Sequence, residues 1–194
     1  MTAAIEERPV APPLRIAGPW GLGRLLDELE SLLQTMPPAV YEATPESGET
    51  RIGQHVGRCL ARIGAVLSAG SARVIVYGPR ARDTAVDTDP ATALRRLRAL
   101  RDALADREGR SLDGVICVEQ MLSPFGDLDR AWSTFGHEIA FVVNHVIDSQ
   151  KLISRGMASF GVSVPEEFGS MEPPPLRARS TVPPSWGAAG TLSM

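Results

Sequence analysis

Residues 134–158, TFGHEIAFVVNHVIDSQKLISRGMA, decide how the chain folds. Phe135, Ile139, Phe141, Val142, Val143, Val146, Ile147, Leu152 and Ile153 recur so densely that, at helical pitch, they leave little polar surface. A helix apolar on most sides has to be surrounded, so this one is expected to be the central and most buried element.

Three amphipathic segments are available to surround it. From about Leu22 to Met36, Leu22, Leu25, Leu26, Leu29, Leu32 and Leu33 form one face, and Pro37 and Pro38 stop the helix. From about Arg51 to Ser68, with Thr50 as cap and Gly70 at the close, Ile52, Val56, Cys59, Leu60, Ile63, Val66 and Leu67 turn inward. A third helix opens at Thr88-Asp89-Pro90, a cap followed by a first-turn proline, and runs to near Arg107 with Ala91, Leu94, Leu97, Leu100 and Leu104 inward. Before the last helix, GVICVEQMLSPFGDLDRAW (114–132) places two β-prone stretches around Ser123–Asp127 and reads as a hairpin, and RVIVYG (73–78) is also prone to extension. The pattern predicts an all-α four-helix bundle with a small β-hairpin insertion before the last helix. Residues 20–164 form this domain, while the Pro-, Gly- and Ser-rich segments 1–19 and 165–194 are expected to be flexible or loosely packed.

Composition narrows the partners. The 194 residues are 43% hydrophobic, 22% charged and 5% aromatic, which suits one soluble domain. A net charge of -3 and the lack of a basic stripe argue against nucleic acid. The longest apolar run, Ile139 to Val143, is far short of the roughly 18–20 residues that span a bilayer. Two cysteines, Cys59 and Cys117, make no disulfide framework, and the acidic, Pro-rich opening has neither a basic nor an apolar leader region. A cytoplasmic protein is expected.

Of the three histidines, His55 lies along the apolar stripe of the second helix and His145 in the middle of the last. A buried imidazole needs a hydrogen-bond partner, a metal, or a lowered pKa, and an ordinary partner is the commoner outcome. Asp148, three residues after His145, shares its face, as does Ser149, a poor ligand. Glu138, seven residues before, is a buried acid or an ion-pair partner, and His137 lies nearer the surface. Cys59, one turn after His55, reads as a small apolar side chain.

Four stretches, IGQHV, YGPRARDTAVDTDP, STFGHEIAFVVNHVIDSQKLI and VSVPEEFG, resemble the DinB-like proteins, the wider group of helical bundles that includes YfiT-like hydrolases and bacillithiol or mycothiol transferases. The resemblance implies an up-down-down-up bundle, often a homodimer. It also implies a divalent nickel, zinc or iron ion held by three histidines, two of which match His55 and His145. The third falls on Ser149, so Asp148 is the substitute ligand that completes a metal set of His55, His145 and Asp148. The loop departs as well, with Val76 and Gly78 around Tyr77 where the family carries acidic residues.

Three readings follow. In the first, a metal on His55, His145 and Asp148 activates water or a thiol for hydrolysis or thiol transfer on a small molecule. In the second, the pocket works without metal: His55 and His145 act as acid and base, oriented by Asp148 or Glu138, in a specialised biosynthetic pathway. The third is a non-catalytic dimeric bundle that binds a ligand. Arg80, Arg82 and Asp83, before the third helix, are candidates to meet an anionic group.

Overall fold

A computed structural model of the chain describes residues 19–45, 50–69, 73–77, 84–107, 111–121 and 128–170. In chain order these form α1 (Pro19–Thr35), α2 (Pro38–Glu42), α3 (Ile52–Leu67), β1 (Val74–Tyr77), α4 (Thr84–Thr88), α5 (Pro90–Ala105), β2 (Val115–Met121), β3 (Leu128–Thr134) and α6 (Phe135–Ser159).

The ends of the helices follow from local chemistry. Asp89 caps α5 by accepting hydrogen bonds from the Ala91 and Thr92 amides, and Pro90 takes the first helical position, where no N–H is missed. Thr134 caps α6 by accepting from the His137 amide at 3.2 Å. At α3 the cap position is Arg51 rather than Thr50, with no side-chain bond. α1 ends at Thr35, just before Pro37 and Pro38 as expected, and Pro38 also opens the short α2, for the same reason that Pro90 opens α5.

Side-chain pairings fix the directions of the four long helices. Glu30 on α1 meets Arg98 and Arg101 on α5, while Asp27 meets Arg101, so these two run antiparallel. Gly64 on α3 faces Leu100 on α5, and Arg107, just past the end of α5, donates to the carbonyl of Leu67 at the end of α3 at 2.7 Å, so these run parallel. Ile52 faces Gly156 and Cys59 lies beside Ser149, making α3 and α6 antiparallel. Between them sits one continuous core that includes Leu22, Leu25, Leu29, Ile63, Leu97 and Ile139, all fully buried.

The all-α class does not hold. β1 pairs parallel with β2, which pairs antiparallel with β3, so the protein is mixed α/β with a three-stranded sheet in the order β1-β2-β3. The expected hairpin is the β2–β3 half of it, and its tip at 122–127 lies outside the described residues. The other half was hidden because a parallel partner is distant along the chain and leaves no local periodicity. Ile75, Ile116 and Val118 are buried on the inner face, whereas Val115 and Trp132 stand outside, the latter 80% exposed.

Two other expectations are amended. Phe141 and Leu152 on α6 are each 42% exposed, so the last helix has an open side. Described structure continues past 165: Phe168 is buried, and Gly169 lies against Gln150 of α6. No helix among the described residues is long and apolar enough to cross a membrane.

Candidate functional site

His55 is buried within α3, and His145 is half-buried on α6. Their heights follow from the contacts between the two helices. With Ile52 level with Gly156 and Cys59 level with Ser149, His55 comes level with Ile153 and His145 with Ile63. At 1.5 Å per residue their backbones are separated by about 12 Å along the helix axes. Asp148 turns outward: its side chain is 75% exposed and lies 3.7 Å from Lys151. Ser149 is buried and donates to the His145 carbonyl at 2.9 Å, back along its own helix. Among the described residues no group of three or more His, Cys, Asp or Glu is placed to hold a metal ion. The donor set implied by the resemblance therefore does not fit a single ion as the helices place it. Gly78, Arg80, Arg82 and Asp83 lie outside the described residues.

The structure assembles a different group around His145. Tyr77 at the end of β1 and Phe141 on α6 bring their ring centroids to 5.6 Å. The Arg62 guanidinium of α3 lies over both, 5.3 Å from the Tyr77 ring and 5.9 Å from Phe141. Among the described residues no carboxylate comes within 4.0 Å of Arg62, and its guanidinium rests over the two rings. Beneath them Glu138 is buried and accepts from the Ser133 hydroxyl at 2.7 Å. The Tyr77 hydroxyl is closed off from solvent without a hydrogen bond of ordinary geometry. Burial chiefly, then the adjacent Glu138 carboxylate, drive its pKa upward, so it stays a phenol.

Electrostatics set the state of His145. Burial is the largest influence and the Arg62 charge the next, both lowering its pKa; Arg58 adds to them and Asp148 opposes. The imidazole is held below its ordinary value and is neutral at pH 7, with a nitrogen able to accept a proton. Cys59 is inert by comparison, since burial pushes its thiol up to about 12. His137 is exposed beside Trp132 on the outer sheet face.

Of the residues singled out from sequence, Glu138 joins this group at Tyr77 and Ser133, His145 joins it through Arg62 and also feels the outward-facing Asp148, and His55 stands apart. Arg62, Tyr77, Phe141 and Ser133 were not anticipated as partners. Arg62 and Tyr77 come from separate elements that only the sheet and the helix pairing bring together, so no spacing along the chain signals them. No family model, curated protein or solved structure matches this chain.

Proposed function

We propose that the chain acts on a small carboxylate- or phosphate-bearing molecule at the Arg62–Tyr77–Phe141–His145 cluster, by acid-base chemistry that uses no metal. The observation that carries this is Arg62: a half-buried guanidinium, free of any carboxylate within 4.0 Å among the described residues and held over two rings, beside a neutral imidazole. A cation so placed attracts an anionic group and orients it by paired N–H donors. His145 takes a proton from water or a substrate hydroxyl and returns it to the leaving group, while buried Glu138 fixes the Ser133 and Tyr77 side of the site. The resemblance to DinB-like proteins contributes only the expectation of small-molecule chemistry at one end of a helical bundle.

The test follows p-nitrophenyl acetate hydrolysis by the full chain and, separately, the His145 ring resonance during a titration with inorganic phosphate. Hydrolysis should survive chelation and fall at least about 100-fold in His145→Asn, the range typical of losing a general base. Phosphate should shift the His145 resonance in the parent and not in Arg62→Gln. Activity that disappears with chelator and returns with nickel or zinc overturns the metal-free reading. A phosphate response unchanged by Arg62→Gln overturns the assignment of the anion site.

A further inference from the structure

Arg62 has a counterpart one turn back on the same helix. Residues four apart on a helix share a face, with Cβ atoms about 5–6 Å apart. Arg58 therefore lies on the stripe of α3 that carries Arg62 against Phe141 of α6. The contacts between the two helices fix its height. With Ile52 level with Gly156 and Cys59 level with Ser149, Arg62 comes level with Val146 and Arg58 with Gln150. His145 thus stands beside Arg62, and Arg58 lies about 7.5 Å further along the axis. Both charges reach the imidazole, since each lowers its pKa.

Neither guanidinium is neutralised by its neighbours. Among the described residues no carboxylate comes within 4.0 Å of Arg58 or Arg62. On α6 the acid at this height is Asp148, midway between the two arginines, yet its side chain is exposed and lies 3.7 Å from Lys151 instead. Asp87 of α4 lies over Gly57, on the adjoining stripe of α3. On the far side of the bundle, by contrast, Arg98 and Arg101 are matched by Glu30 and Asp27. Like charges one turn apart on a helix repel, so α3 holds two cations together at a cost that an anion between them relieves. One of the pair is half-buried and fixed over two rings, the other exposed and free to close on what arrives.

We propose that the anionic handle of the substrate is a phosphate monoester held between Arg62 and Arg58, rather than a carboxylate. The inference rests on the anion site at Arg62 and adds a second binding residue to it. A carboxylate brings two oxygens and one charge, which a single guanidinium fork satisfies. A phosphate monoester brings three terminal oxygens and about 1.5–2 negative charges at pH 7, enough for both forks. The phosphate is a handle and not the reacting bond: neutral His145, beside Arg62, is left to exchange a proton with the rest of the molecule.

The experiment compares phenyl phosphate with benzoate, the same ring on two different anions, by calorimetry on the full chain at one ionic strength. Phenyl phosphate should bind at least about ten-fold tighter than benzoate. Arg58→Gln should weaken phenyl phosphate at least about ten-fold and benzoate less than about two-fold, as expected when one of two charge-assisted forks is lost. The exposed position and the good helix propensity of glutamine keep the fold intact. Arg51→Gln is the control for general charge: this arginine lies two turns away on α3 and bonds to Thr44 at 3.0 Å, and its loss should change neither isotherm by more than about two-fold. Equal affinity for the two probes, an equal loss of both in Arg58→Gln, or an Arg51→Gln effect as large as that of Arg58→Gln each overturns the proposal. Phenyl phosphate binding that responds to Arg62→Gln but not to Arg58→Gln overturns it while leaving the site at Arg62 standing, and a response to neither variant overturns both.

Discussion

Ile52 and Gly156 meet at the crossing of α3 and α6, so closely that a Cβ on Gly156 would lie 3.1 Å from Ile52 Cγ1. The contact sets the register of these two helices, and that register separates the two histidines in height. A larger side chain there has to push the helices apart or slide them. Gly156→Leu is expected to cost about 1–3 kcal/mol, the usual range for overpacking, measured by urea unfolding. Ile52→Ala in the same chain should recover part of the loss, with a non-additive term that an independent pair of sites would not show.

A more severe steric limit operates at Gly53. A Cβ at this position would stand 2.1 Å from the Asp87 carbonyl oxygen and 2.7 Å from Tyr41 Cε1. One turn on, a Cβ at Gly57 would meet the Asp87 side chain at 2.2 Å and Val86 Cγ1 at 3.7 Å, side chains rather than backbone. Gly53→Ala is therefore expected to destabilise by about 3 kcal/mol and Gly57→Ala by about 1 kcal/mol or less, despite the better helix propensity of alanine. Thermal melts of the two variants side by side check the order.

Acid sensitivity should trace to Glu30. Its hydrogen bond from Arg98 is the largest influence, and with Arg101 it holds the carboxyl below the ordinary 4.5. A lowered carboxyl pKa contributes stability that is present above 4.5 and lost as pH falls through the lower folded value. Glu30→Gln should cost about 1–2 kcal/mol at pH 7, since both arginines are partly exposed, and the cost should shrink toward pH 3. Unfolding curves at the two pH values test this.

His145 loses stability in the same direction, for a different reason. Its pKa in the fold lies below the ordinary 6.5, so the unfolded chain binds more protons and this contribution to stability falls as pH drops below about 6.5. Arg62→Gln removes the second-largest cause and should raise the His145 pKa toward its ordinary value. A titration of the ring carbon-bound proton by NMR gives the answer, and an unchanged midpoint counts against the Arg62 influence.

The two thiols should separate cleanly in the native protein. Buried Cys59, pushed up to about 12, is expected to resist a disulfide reagent at pH 8, while half-buried Cys117 reacts. Two equally fast thiols would contradict the burial of α3.

The helices were legible because each writes its core face into its own spacing, as the α1 leucines and the Asp89–Pro90 start of α5 show. What escaped was non-local. Val74–Tyr77 looked extended, but nothing nearby revealed a parallel partner across α5. Phe141 counted as core by hydrophobicity alone, yet it forms one side of the Arg62 platform. The candidate site was half legible for the same reason: His145 and Glu138 share one helix, whereas Arg62 and Tyr77 reach them only through tertiary packing.

The parallel pairing of β1 with β2 also orders events in time. Its strands enclose α5, so they zip together only after that helix has crossed over and docked, and such distant closures are slow. The sheet end should therefore assemble late and open early, with the amides of Val74–Tyr77 exchanging with solvent before those at the centre of α3. The Arg62 platform, which borrows its tyrosine from that edge, would then come and go with the strand.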